Sequence, residues 1–425
     1  MEPVDVIIGE RSGGYGAEPG LFGMRCDDRR RHTLVLGKTG LGKSTLLLNM
    51  LIQDVAAGGG VALIDPHGDM AEELLNRIPR HRTDDVVYFD PADVDRPLGW
   101  NVLRMSRDRH LAVSGLISAF KHLWGDSWGP RLEYILANAL LALAEEGGST
   151  LLGVLRLLSD ESYRMRVARR VQDPVVRAFW LTEFAEYDRR FRTEAIAPIQ
   201  NKLGRLLSSA PLRNILSQVR SSFDLRFMMD DNRIFIANLS KGRIGEDATN
   251  FLGSLLLAGF QHAALSRANI PEDARRDFFL VVDECHNFTS QATASMLSEL
   301  RKYRCGMTLA GQYLEQMHPN VRAALLANVG TLVAFGVSAA DAKELAVDLH
   351  PFPPERLTSL DRGEVCIRLT EGGTTRQPFV ARTLPSVAIS HGRGHAISAR
   401  SRAKYGRSRE AVEKRITRWF AGQEG

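Results

Sequence analysis

The stretch LVLGKTGLGKST, residues 34–45, sets Gly37, four residues, then Gly42, Lys43 and Ser44. It continues the apolar run HTLVLG and leads into KSTLLLNMLIQDVAAGGG, whose apolar residues recur at helical spacing before three glycines. A strand, a glycine-rich loop and a helix N-terminus in that order form a phosphate cradle. The glycines let successive N–H groups turn toward phosphate oxygens. The spacing predicts that Thr39, Gly40, Leu41, Gly42, Lys43, Ser44 and Thr45 bind a nucleotide. Lys43 is expected to reach the β- and γ-phosphates, and the Ser44 hydroxyl to ligate Mg²⁺.

Outward from this loop, apolar runs alternate with helical patterns. GVALIDP, DVVYFDP, NRIFIANL, DFFLVVDE, MTLAGQ and TLVAFGV read as strands, and DMAEELLNRI and DATNFLGSLLLAGFQHAALSRA as helices. Such alternation predicts an α/β fold with a central, mainly parallel sheet flanked by helices. GEVCIRL and QPFVART suggest a terminal hairpin. Between residues 103 and 231 strand signals give way to apolar residues at helical spacing, such as Leu132, Ile135, Leu136, Ala139, Leu140 and Leu143. The division expected is a flexible lead-in over 1–31, an ATPase core over 32–102 and 232–385, an inserted all-α domain over 103–231, and a basic tail over 386–425. The first half of the tail reads as mobile. From Ser408 onward Val412, Ile416, Trp419 and Phe420 share one helical face, with basic residues opposite. That helix either docks on its own domain or binds a partner or nucleic acid.

A chain of 425 residues with 44% hydrophobic and 25% charged residues has the make-up of a soluble globular protein. A net charge of +5 leans toward a polyanionic partner without proving one. Cys26, Cys285, Cys305 and Cys366 form no C-x-x-C pair, which argues against a structural zinc or a disulfide framework and for a reducing compartment. No apolar run approaches the ~18–20 residues that cross a bilayer. The start, MEPVDVIIGER, lacks the regions of a signal peptide. A cytoplasmic protein is expected, reaching the inner membrane only through a partner and without direct insertion.

A magnesium nucleotide needs a carboxylate on a neighbouring strand. DFFLVVDE ends in two. Asp283 is placed for the metal shell, and Glu284 to polarise an attacking water. The second carboxylate argues for hydrolysis rather than a binding switch, with ATP and Mg²⁺ as the cofactors. Gln312 ends the strand MTLAGQ. Ligands bind outside the carboxyl ends of parallel strands, so Gln312 is expected near the γ-phosphate; the alternative is a hydrogen-bonding loop residue. Asp65, His67 and Asp69 in DPHGD leave the second strand. His67 has no second His or Cys at ligand spacing, and no secure role follows for either aspartate.

Taken in order, GKTGLGKST, LIDPHGD, WGPRLEYIL, VVDECHNF, LRKYRCGMTLAGQ and NVGTLVAFGVSAADAKELA resemble the HerA/FtsK superfamily of ring ATPases. Within it they resemble the TraG-like coupling ATPases of conjugation and type IV secretion. The resemblance covers about residues 31–384. It implies a RecA-like P-loop core in a homo-hexamer that threads DNA, without reading its sequence, through a central pore. It also implies that Arg301 in LRKYRCG enters the neighbouring subunit's site and neutralises charge on the transferred phosphoryl. Arg304 is the substitute and a solvated helix arginine the alternative, while Arg131 in WGPRLE is a weaker candidate for a second basic group. The membrane spans of anchored coupling proteins and the N-terminal barrel of HerA proteins have no counterpart here. The helical insertion resembles the all-α domain that coupling proteins carry. Lys241 and Arg243 in NLSKGRIGE could face a channel or lie on a plain surface loop. A secretion-system, relaxase or effector protein is the implied partner. Two other functions stay open: a protein-moving secretion-assembly ATPase, which DNA stimulation would separate, and a ring scaffold for an effector such as a nuclease, against which Glu284 weighs.

Overall fold

The nine apolar runs become nine strands, and four more join them. The computed structural model describes residues 5–11, 20–289, 291–386 and 390–422. In chain order the strands are β1 (Val6–Arg11), β2 (Gly20–Met24), β3 (Thr33–Leu36), β4 (Gly60–Asp65), β5 (Val86–Phe89), β6 (Ile234–Asn238), β7 (Phe278–Val282), β8 (Cys305–Gly311), β9 (Thr331–Ala334), β10 (Glu364–Arg368), β11 (Thr370–Glu371), β12 (Thr374–Thr375) and β13 (Phe379–Thr383). Eleven make one sheet, ordered β2-β1-β13-β10-β9-β3-β8-β7-β4-β6-β5, and β11 pairs with β12 apart from it.

From β9 to β5 every neighbour is parallel. From β9 through β10, β13 and β1 to β2 every neighbour is antiparallel. All residues of β3, β4, β6, β7, β8 and β9 are buried. Strands covered on both faces have no reason to alternate, which is why they read as continuous apolar runs. The expected hairpin is β10 against β13.

The lead-in differs from its expectation. Residues 6–11 and 20–24 are edge strands rather than flexible chain, while 12–19 lie outside the described residues. Val6, Ile8, Phe22 and Met24 are buried. The glycines that suggested a loop serve close backbone approach instead. A Cβ on Gly9 would stand 2.3 Å from the Arg382 carbonyl oxygen, and one on Gly23 2.1 Å from that of Val6.

Two compact units result. The sheet unit takes residues 1–89, 226–240 and 267–401; the helical unit takes 90–225, 241–266 and 402–425. In the helical unit the helix Pro130–Glu146 opens with proline at its first position and closes at Gly147, φ 83°. Its buried stripe includes the six apolar residues named above. The helix Glu246–Leu265, expected with the core, belongs to this unit instead. It is buried around most of its surface, and Phe251 stacks on Phe120 at 5.0 Å.

The tail is ordered earlier than its composition suggests. A helix spans Gly394–Tyr405 in place of the expected mobile segment. Its Ile397 is fully buried, and Ser401 Oγ accepts from the Tyr88 amide at 2.8 Å, occupying a donor on the outermost strand β5. The amphipathic helix follows as Arg409–Phe420, capped by Ser408, with Val412 buried and Phe420 exposed. Among the described residues no helix is long and apolar enough to cross a membrane.

Candidate active site

The loop Gly37–Gly42 leaves the carboxyl end of β3 and runs into the helix Lys43–Ala56. It is pinned on both sides. The Gly37 amide donates to the Gly311 carbonyl at the end of β8, at 3.3 Å, and the Lys38 amide to the Gly336 carbonyl beyond β9, at 2.9 Å. Phe335 packs beneath: a Cβ on Gly37 would meet its Cβ at 2.5 Å. Gly40 and Gly42 take φ of 82° and 118°, so the peptide planes turn where other residues would be strained. Among the described residues no backbone N–H from Thr39 to Thr45 donates to a protein acceptor. Seven such donors, running into a helix N-terminus, suit an anion.

Lys43 is buried. Its Nζ donates to the Gly37 carbonyl at 2.5 Å and the Lys38 carbonyl at 3.1 Å, which holds the ammonium inside the loop. Burial lowers its pKa, and the charges of Glu284 and Asp283 oppose that. Ser44 and Thr45 lie in the first turn of the helix, Ser44 exposed.

Parallel pairing brings the remaining groups to the same edge. Asp65 ends β4, Asp283 follows β7, and Gln312 follows β8. Asp283 is buried, and its Oδ1 accepts from the Glu284 amide at 3.0 Å. Burial, with Glu284 and Asp65 adding to it, pushes its pKa up to about 6. Glu284 is also buried and sits in the left-handed region at φ 43°, a strained conformation for this residue type. Gln312 Nε2 donates to Glu284 Oε1 at 2.8 Å. Glu284 Oε2 has no hydrogen-bond partner among the described residues and lies 3.5 Å from His286 Nδ1. Asn287 Nδ2 donates to the Glu284 carbonyl at 2.8 Å. The sequence reading missed His286 and Asn287; their one signal was the polar run ECHN straight after an apolar strand.

Asp65 proves to be a structural anchor. Its carboxylate accepts from the His67 amide at 2.8 Å and the Ala71 amide at 2.9 Å, fixing the turn into the helix Asp69–Arg77. His67 and Asp69 are exposed.

Arg301 is not at this edge. It lies in the turn before β8, at the opposite end from Gln312. Seven residues of strand separate the two, about 23 Å at ~3.3 Å per residue. Its charge is felt by the buried His32, at the start of β3, whose pKa falls to about 4 chiefly through burial. Arg301 is exposed and, among the described residues, makes no ion pair. Arg304 is turned inward, with its guanidinium donating to the Arg275 carbonyl at 3.1 Å. In the helical unit, Arg131 lies over the Phe191 ring at 4.7 Å, Arg243 pairs with Asp90 at 3.0 Å and Lys241 faces Glu246 at 3.6 Å.

The buried carboxyl makes a testable cost. The folded pKa of Asp283 stands above its value in the unfolded chain, so ionisation opposes folding as pH rises from about 4 through about 6. Asp283→Asn is expected to stabilise the nucleotide-free protein at pH 8 by up to about 3 kcal/mol, with the gain fading by pH 4. Urea unfolding of both proteins at the two pH values checks this; an equal gain at pH 4 would trace it to another cause.

A nucleotide-type phosphate nest beside two buried carboxylates, at the carboxyl edge of a parallel sheet, is the arrangement of a P-loop NTPase with a RecA-like core. A family model described as "Helicase HerA, central domain" matches residues 27–259, over half of the chain, and the protein belongs to that family. No curated protein matches the sequence significantly. Among solved structures, the bacterial conjugative coupling protein TrwBdeltaN70, in a trigonal form with sulphate, is 16% identical with a TM-score of 0.63, over 87% of this chain and 89% of that one. Plasmid coupling protein TrwB in complex with ADP and Mg²⁺ is 16% identical with a TM-score of 0.60, over 87% and 89%. VirB4 of Thermoanaerobacter pseudethanolicus is 16% identical with a TM-score of 0.63, over 90% and 97%. At these identities the likeness is one of fold.

Proposed function

We propose that this chain is an ATP-hydrolysing motor subunit that moves DNA, working as a ring of identical copies. The observation that carries hydrolysis is Glu284, buried at the strand edge with one oxygen held by Gln312 and the other without a hydrogen-bond partner among the described residues. The unpartnered amides of 39–45 and the ammonium of Lys43 fit a triphosphate. Among the described residues no cluster of three or more His, Cys, Asp or Glu could hold a metal alone. Magnesium suits a site of one or two protein ligands plus phosphate oxygens, here Ser44 and Asp283. When bound, it draws charge from the β- and γ-phosphates. Glu284 takes a proton from water as the water oxygen attacks the γ-phosphorus, Lys43 follows the charge on the phosphate oxygens, and ADP leaves.

DNA as the cargo rests on membership of the HerA family and on the fold shared with a conjugative coupling protein. A relaxase, secretion component or effector would then be a partner. The test is the ATPase rate alone and with single- and double-stranded DNA at two salt concentrations. Stimulation that fades with salt is expected, because phosphate contacts release counterions. Basal turnover that DNA leaves unchanged would overturn the DNA reading and favour a protein-moving machine.

A further inference from the structure

His32 takes no part in the chemistry at the carboxyl edge, yet it is 1% exposed and sits in the left-handed region at φ 64°. It immediately precedes β3, the strand that runs into the phosphate loop. Arg304 precedes the neighbouring strand β8 in the same way, at φ 52°. Outside glycine this conformation persists where surrounding contacts impose it.

Both ring nitrogens of His32 are used. Pairing of β3 with β8 begins at Thr33 and Thr308. The Met307 amide lies one residue outside that ladder and donates to His32 Nδ1 at 3.0 Å. A nitrogen that accepts carries no proton, so the proton is on Nε2, which donates to the Leu297 carbonyl at 2.7 Å. Burial lowers the pKa to about 4 and keeps the ring in this neutral form at neutral pH. One side chain thus joins β3, β8 and the segment that leads to Arg301.

Leu297 lies in the last turn of the helix Gln291–Glu299, where carbonyls lose their intrahelical partners. Arg301 follows in the turn Leu300–Tyr303. Because Arg301 is exposed and in no ion pair of the described residues, the backbone around it decides where its side chain starts. That backbone is gripped from elsewhere. Arg275 donates to the Lys302 carbonyl, and the fully buried Arg267 to the Tyr303 carbonyl at 2.8 Å. Of these three gripping residues, His32 alone comes from the strand that carries the phosphate loop.

We propose that His32 is a positioning residue for Arg301, fixing the helix end before it against β3 so that each chain presents its guanidinium to a neighbour's nucleotide. The inference deepens the ring reading and rests on Arg301 serving a neighbouring site.

Two substitutions divide the bonds of the ring. His32→Asn suits the left-handed backbone and offers an oxygen where Nδ1 accepts, but does not reach Leu297. His32→Gln offers an N–H where Nε2 donates and loses the acceptor for Met307. In the assembled full-length protein, His32→Asn is expected to lower kcat by about 10-fold or more, as a displaced group does. KM for ATP should change by less than about twofold. His32→Gln should recover most of the lost turnover even where it melts at a lower temperature than His32→Asn. Mixed with Glu284→Gln, His32→Asn should hydrolyse ATP faster than either variant alone, because its intact site then meets a well-placed Arg301.

Turnover that falls equally in both His32 variants, or simply follows their melting temperatures, would overturn the inference in favour of a plain structural role. A mixture no faster than its parts would also overturn it, placing the damage in the variant's own phosphate loop. Wild-type turnover in His32→Asn beside a defective Arg301→Ala would end the inference and leave the ring reading standing. Wild-type turnover in Arg301→Ala would remove the trans arginine, and the inference with it.

Discussion

Glu284→Gln is expected to lower ATP turnover by about 10²–10⁴-fold while nucleotide binding is retained. The substitution keeps the shape of the side chain and removes its charge, and with the charge the ability to take a proton. Gln312 Nε2 donates to Oε1 of the glutamate at 2.8 Å, and an amide oxygen at the same place still accepts that bond, more weakly than the carboxylate. The bond from Asn287 goes to the backbone carbonyl and is untouched. Lys43, Ser44 and the amides of 39–45 belong to a separate segment that is held by Gly311, Gly336 and Phe335. Single-turnover hydrolysis and equilibrium binding of a fluorescent ATP analogue separate the two effects. Undiminished turnover would strip Glu284 of its role as base, and lost binding would place it in the phosphate cradle instead.

The second large effect concerns Arg301. Its replacement by alanine is expected to reduce turnover of the assembled protein by about 10³-fold or more with little change in nucleotide affinity. Within one chain it stands a whole strand length from Gln312, exposed and outside any ion pair of the described residues. An arginine in that place acts on a site only if a second copy presents it. Turnover per chain should therefore rise with protein concentration in the wild type and stay flat in Arg301→Ala. A wild-type rate per chain that is independent of concentration, down to the monomer, would remove the trans role.

The readable parts of this protein were those where burial is symmetric. β3, β4, β6, β7, β8 and β9 are covered on both faces, so their composition alone marks them. The edge strands β1 and β2 were hidden because Gly9 and Gly23 look like loop residues while serving backbone contacts with chain far away. The helix Gly394–Tyr405 was hidden for a different reason: Ile397, Ser401 and Arg400 hold it through single contacts rather than an apolar stripe. The helix Glu246–Leu265 was visible as a helix, but an element apolar on most sides does not say which unit it packs in.

At the candidate site the spacing of Gly37, Gly42, Lys43 and Ser44 marked the glycine loop before the helix Lys43–Ala56, since local sequence builds it. The bond between Gln312 and Glu284 depends on β7 and β8 lying side by side, a matter of sheet order that no local pattern carries. The inward turn of Arg304 and the anchoring role of Asp65 are likewise decided by partners elsewhere in the fold.

The length of β8 has a genetic meaning. On the proposed ring, with Arg301 serving a neighbour's site, the seven residues of β8 divide the working parts between copies that meet head to tail. Two defective alleles, one lacking Glu284 and the other lacking Arg301, then hold a full set between them. Expressed together they rescue some of what neither performs alone, whereas each, expressed beside the intact gene, spoils junctions it shares with healthy copies. Recessive behaviour is what a self-sufficient enzyme shows; this fold, read as a ring, makes both lesions dominant and mutually complementing.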